Sequence, residues 1–188
     1  MIKKPKIVLA ITGASGALYA YRLLFHLNQI RDQYQTLDLV FSVNAKDVWL
    51  HELGKPSFND FDFRFFDQQD FNAPFASGSA GYSTMIVCPA SMGTIGRMAN
   101  GVSNDLISRA ADVMLKERQR LILVARETPY NLIHLRNMTQ LTEAGAIIFP
   151  ASPSFYSLPK TLDALVDTVV LRVLQMAGFD LPTYRWGD

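Results

Sequence analysis

The residues best suited to chemistry fall in three short stretches, each placed just after an apolar run. The first is Gly13-Ala14-Ser15-Gly16, behind residues 7–12. The second is Ser91, Gly93 and Thr94, behind Met85-Ile86-Val87-Cys88 and Pro89, which is expected to end the strand. The third is Arg126-Glu127-Thr128-Pro129, behind residues 121–125. Backbone N–H groups left free where a strand ends and a helix begins, next to hydroxyls, favour an anion or the polar edge of a cofactor. Arg126 adds a planar fork that grips phosphate. Beside a bound phosphate, like charge would raise the pKa of Glu127 and suit it to general acid work. A local ion pair at a helix start, with Pro129 in the first turn, accounts for the same two residues equally well.

Other chemistries fit poorly. His26, His51 and His134 fall in separate helical stretches and the single cysteine, Cys88, in a core strand, so no metal site is expected. There is no G-x-S-x-G elbow and no P-loop Lys-Ser/Thr pair. The first glycine turn matches G-x-G-x-x-G only in part, with Ser at 15 and Leu at 18. Ser42 stands where a dinucleotide enzyme carries the acid that holds a ribose, which favours a mononucleotide.

The elements that must position these loops alternate between strand and helix. Continuous apolar runs at 7–12, 37–42, 85–88, 121–125 and 146–149 predict strands buried on both faces. Apolar spacing predicts helices over 17–27, 44–53, 106–117, 131–144 and 162–177, and a helix-like run to Ala99. Gly54 and Pro56 close the second helix, Asn104-Asp105 cap the helix at 106, and Gly145 ends the helix over 131–144. The phenylalanine-rich residues 58–75 read as a strand near 61–65 with an aromatic-packed loop, and self-association there is plausible. Residues 76–81 read as a flexible loop. Arg109 is spaced for a surface ladder with Asp105 and Asp112, and Lys116 for a solvated helix end. Three strand ends carrying polar loops imply one crevice at one edge of a parallel sheet. The fold class is therefore α/β, a three-layer Rossmann-like (flavodoxin-like) parallel sheet in a single domain over residues 1–188.

With 188 residues, 49% of them hydrophobic, the chain is long and apolar enough for one sizeable core. A net charge of +1 with no basic block leaves nucleic acid no electrostatic footprint. No apolar run reaches the length of a membrane span. Lys3, Lys4 and Lys6 ahead of an apolar run mimic an export signal, but the run breaks at Thr12-Gly13; a reducing, cytoplasmic setting is the expectation.

Taken together, the loops resemble the UbiX-type flavin prenyltransferases. The matching pieces are TGASGA at 12–17, CPASMGT at 88–94, ANG at 99–101, RAADVMLKER at 109–118, RETP at 126–129, HLRNM at 134–138 and Phe155-Tyr156, in family order along the chain. The pattern departs at Ala90, Ala125, Tyr130 and Ser152-Pro153-Ser154, and no departure removes a polar group of the set. The resemblance implies a homo-oligomer, a dodecamer by family habit, that joins a dimethylallyl group from dimethylallyl phosphate to reduced FMN. The product would be the cofactor of UbiD-type decarboxylases. It implies FMN contacts at Gly13, Ala14, Ser15, Ser42, Ser91, Met92, Gly93, Thr94 and Arg126. It implies that Lys116, Arg126, Tyr156 and Arg172 hold the donor phosphate, in a pocket completed by neighbouring subunits, which turns Lys116 from a solvated end into a ligand. Glu127 would protonate the departing phosphate, and Ser15 with Glu52 would manage the N5 proton. Trp186, in a tail over 179–188 that covers the site, would face the allylic cation. No metal is implied, and no Asp-Asp-x-x-Asp stretch is present to hold a magnesium-diphosphate. Two other readings stay open: a flavin-dependent cysteine-type decarboxylase, which needs a histidine near the flavin, and a non-catalytic FMN-binding protein.

Overall fold

The computed structural model describes residues 4–54, 61–183 and 187. Six parallel strands form one sheet in the order β3-β2-β1-β4-β5-β6. They are β1 (Lys6–Ile11), β2 (Thr36–Phe41), β3 (Arg64–Phe66), β4 (Thr84–Ala90), β5 (Arg120–Ala125) and β6 (Ile147–Pro150). The helices are α1 (Ala17–Gln29), α2 (Val43–Leu53), α3 (Met92–Ala99), α4 (Leu106–Lys116), α5 (Leu132–Glu143) and α6 (Leu162–Met176). Strand order reverses between β1 and β4, so their carboxyl ends diverge into loops on opposite faces and leave a crevice between them.

The central strands are apolar because both faces are covered. All seven residues of β4 are buried. One core packs α1, α2 and α6 against the sheet through Leu23, Leu24, Trp49, Val170 and Val173. The other packs α3 and α4 through Ile95, Met98, Ile107 and Met114, with Leu141 of α5. These are the three expected layers.

Several local expectations change. β4 does not stop at Pro89: its pairing with β5 shifts after Val87 and resumes at Ala90 opposite Ala125. A local irregularity absorbs the residue that cannot donate to the ladder. The phenylalanine segment is packed, as expected, but its strand is shorter and later than residues 61–65. β3 starts at Arg64, and Phe61, Phe63 and Phe65 lie half-buried against the core under α1 and α2. Residues 76–81 are not a loose loop, because short 3-10 turns at Pro74–Ala76 and Gly78–Ala80 order most of them. Asp105 does not ladder with Arg109. It accepts the Ser108 N–H at 2.7 Å, caps α4, and faces Arg97 at 3.4 Å. Arg109 keeps the expected partner Asp112 at 2.9 Å. Pro129 is not in a first turn, because Asn131 caps α5 two residues later in a reciprocal box with His134. Pro56, the expected helix closer, lies outside the described residues, while the Gly54 N–H closes α2 on the Leu50 carbonyl at 3.0 Å.

The fully buried Asp38 of β2 anchors the sheet edge. Arg64 holds it with two bonds of 2.7 Å, and the Tyr82 hydroxyl donates to it. Burial, reinforced by this carboxylate, pushes the Tyr82 phenol well above its ordinary range.

Candidate functional site

Backbone bonds tie the strand-end loops into one continuous edge. Ser42 N–H reaches the Ile11 carbonyl at 2.9 Å, Arg126 N–H the Ala90 carbonyl at 3.3 Å, and Ala151 N–H the Ala125 carbonyl at 3.0 Å. Thr12 joins the two central loops: its hydroxyl donates to the Pro89 carbonyl at 2.6 Å and accepts the Ser91 N–H at 2.9 Å. This positioning role was not expected from the sequence, although Thr12 opens the TGASGA stretch.

A crevice of about 460 Å³ opens between the amino ends of α2 and α3. Gly13, Ser42, Ser91, Gly93 and Thr94, all expected ligands, line it together. Val43, Asn44, Gln68, Gln69, Arg97, Asn104 and Asp105 complete it, none of them an expected ligand. Gly13 is small for a reason that is packing: a Cβ there would stand 2.7 Å from Asn44 Cβ. Ser91 caps α3, its hydroxyl 3.0 Å from that of Thr94. Ser42 precedes α2 without using its hydroxyl as a cap, and Gln68 Oε1 takes the Val43 N–H at 3.1 Å. Neither helix has an acid in its first turn, so both partial positive ends face the crevice unopposed from within. Met92 and Ala14 are buried, Met92 among the core residues of α3, so their side chains do not line it.

A second cluster lies along the α1 turn. Glu52 Oε2 accepts the N–H groups of Gly16 at 2.9 Å and Ala17 at 2.7 Å. Burial pushes the Glu52 pKa up, but the Ser15 hydroxyl, these two N–H groups and the Arg126 charge together hold it below the ordinary carboxylate range. Ser15, Glu52 and Arg126 are thus brought together. Glu127 does not pair with Arg126; its Oε1 accepts the Thr128 N–H at 2.9 Å, and it stays half-buried beside the same loop.

The donor-holding set is not assembled within one chain. Ser154, Ser157 and Arg172 line a separate cavity of about 650 Å³, with Pro182 and Thr183 at its side. Tyr156, 69% exposed, lies on the loop between those serines. Lys116 ends α4 next to the start of β5, at the opposite edge of the sheet from the crevice, and pairs with Glu117. Trp186 lies outside the described residues.

The three histidines stay in separate helices: His26 meets Asp167 at 3.0 Å and His134 serves the α5 cap. Burial pushes the Cys88 thiol far above its ordinary range, which disqualifies it as a nucleophile. Among the described residues no cluster of His, Cys, Asp and Glu suits a metal ion, and no helix is long and apolar enough to cross a membrane.

The crevice fits the phosphate end of a mononucleotide on its own chemistry. It offers hydroxyls, two helix amino ends and a guanidinium whose buried Nε has no hydrogen-bond partner, at Arg97. Such a set suits a phosphate ester, and the small residues at 13 and 93 keep the wall low.

Comparison with known proteins agrees. The Flavoprotein family model matches residues 1–174. The flavin prenyltransferase UbiX of Methanocaldococcus jannaschii is 40% identical over 191 aligned positions, covering 97% of this chain and 98% of the relative. The solved AnUbiX (PadA1), in complex with FMN and dimethylallyl pyrophosphate, superposes with a TM-score of 0.88 at 38% identity, covering 98% of this chain and 100% of the other. A dodecameric FMN-dependent UbiX-like decarboxylase from Escherichia coli O157:H7 gives a TM-score of 0.89 at 39% identity over 97% of this chain and 100% of the other. The chain belongs to the flavoprotein family, and within it to the UbiX flavin prenyltransferases.

Proposed function

We propose that this chain joins the dimethylallyl group of dimethylallyl phosphate to reduced FMN. The observation that carries the reading is the switch-point crevice, walled by Ser42, Ser91 and Thr94, with Ser15, Glu52 and Arg126 along the adjoining α1 turn. Reduced FMN, when bound, supplies the N5 and C6 atoms that take the prenyl group. Gly13, Ala14, Ser15, Ser42, Ser91, Met92, Gly93, Thr94 and Arg126 bind and orient it.

Lys116, Arg126, Tyr156 and Arg172 hold the donor phosphate. Glu127 gives a proton to a phosphate oxygen as the allylic C–O bond breaks, and the bonding pair leaves with the phosphate. Cationic groups around that oxygen lower the barrier because charge builds there in the transition state. Ser15 Oγ takes the N5 proton while Glu52, a carboxylate at neutral pH, takes the proton of Ser15. Trp186 shelters the allylic cation with its ring face.

Assembly completes the site. Lys116 and Arg172 sit apart in one chain, so a neighbour must bring one to the other. Leu132 and Ile133 of α5 are 59% and 66% exposed, and Phe155 and Leu158 are also open, an apolar area that a second copy would cover. The dodecameric relative supports a homo-oligomer of this kind. Passage of the product to a UbiD-type decarboxylase, metal independence and a cytoplasmic setting belong to the same reading, the last favoured by a lone buried Cys88.

A cysteine-type decarboxylase is disfavoured because no histidine is among the described residues that line the crevice. A passive FMN carrier has no use for Arg172 and Tyr156 beside one cavity. Release of inorganic phosphate from dimethylallyl phosphate tests the reading. Release that requires reduced FMN supports it, and release with oxidised FMN or with none contradicts it.

A further inference from the structure

We propose that Arg97 is a cofactor-binding residue that grips the phosphate monoester of FMN and sets the preference for the nucleotide over riboflavin. The inference rests on the FMN reading above and adds a residue that the family motifs do not include.

Arg97 lies one turn into α3, four residues after Gly93. Helical side chains lean toward the amino end, so a residue at 97 covers the turn that holds Gly93 and Thr94. The geometry follows that rule: Arg97 Nη2 donates to Thr94 Oγ1 at 3.2 Å, and Nη1 stands 3.9 Å from where a Gly93 Cβ would be. A methyl at 93 would meet the guanidinium only in ordinary van der Waals contact, so Arg97 lies directly along the wall that Gly93 helps to form. Its Nε is the buried polar side-chain atom left without a partner among the described residues. A donor in that state carries a desolvation cost that an arriving acceptor removes.

Most of what surrounds it favours a dianion. Two helices, of 11 and 8 residues, point their amino ends at the same space. Ser42 and Thr94 add hydroxyls on the two sides. One opposing charge is present, Asp105, and it is already committed: Oδ1 accepts both the Ser108 N–H and the Ser108 hydroxyl, and Oδ2 faces Arg97 at 3.4 Å. Asp105 holds the guanidinium at the crevice rim and leaves Nε without a hydrogen-bond partner. A phosphate oxygen arriving between the helix ends meets a cation whose position is already fixed from behind, which lowers the ordering cost of the contact.

The test compares FMN and riboflavin, which differ only in the phosphate, on the full-length oligomer by fluorescence titration. Arg97→Met keeps the apolar stem and removes the charge; Arg97→Gln is the second variant. The expected result is an FMN dissociation constant raised roughly ten- to a hundredfold in both variants, with riboflavin affinity unchanged. Unchanged riboflavin binding also certifies the fold. Equal loss for both flavins, or no loss of FMN affinity, overturns the inference while leaving the FMN reading intact. A wild-type chain with no preference for FMN over riboflavin overturns both.

Discussion

Glu52, near the end of α2, takes the Ala17 N–H at 2.7 Å and so caps a helix that begins 35 residues earlier. One carboxylate thereby does two jobs: it closes the amino end of α1 and orients the Ser15 hydroxyl. Because hydrogen bonds outweigh burial and depress its folded pKa, its contribution to stability is present above the unfolded value and disappears as pH falls through the folded one. Glu52→Gln should melt lower than wild type at neutral pH, by about 1 kcal/mol or less because the group is exposed and screened, or about 2–4 °C. Melts across a pH series should show that gap closing in acid, below the ordinary carboxylate value of 4.5.

Gly13→Ala tests the close approach at the first turn. The added methyl would stand 2.7 Å from Asn44 Cβ, so α2 has to move away from the crevice. Overpacking of this kind costs about 1–3 kcal/mol. Chemical denaturation should report that loss, and FMN titration should report weaker binding in the same variant.

Asp38→Asn probes the sheet edge, remote from the chemistry. It leaves Arg64 and Tyr82 facing a neutral, buried amide. Arg64 is 55% exposed and the amide oxygen still accepts a bond, so the loss is about 1–2 kcal/mol, and urea denaturation should find it. FMN affinity should not change.

These three sites also mark what could be read in advance. The strand–helix alternation was legible because buried parallel strands are apolar throughout, as residues 121–124 are, and because Asp105 and Asn131 announce helix starts. Pro89 misled, since a break in the pairing register lets β4 run on past a residue that cannot donate. Gly13 was legible as a tight turn but not as a contact with Asn44, which is 31 residues away and set by tertiary packing. Arg97 escaped notice because its surroundings on α3 look like an ordinary helix surface; only the fold brings Ser42 and Gly13 across to face it. Lys116 and Arg172 were picked out by resemblance alone, and one chain keeps them apart.

That separation gives a prediction of its own. Lys116→Ala, Arg172→Ala and Glu127→Gln should each abolish prenyl-FMN formation while FMN stays bound. If neighbouring chains share the site, co-assembling the Lys116→Ala and Arg172→Ala chains rebuilds some intact pockets. Activity of the mixture above either variant alone, measured as product per subunit, is the expected outcome. A mixture as dead as its parts would place both residues in one chain's pocket or outside the site.

The most direct measurement is a mass spectrum of the flavin after anaerobic incubation of the protein with reduced FMN and dimethylallyl phosphate. The expected result is a flavin heavier by one five-carbon prenyl unit, formed by wild type and absent with Glu127→Gln. Recovery of unaltered FMN from folded, flavin-loaded wild type would contradict it.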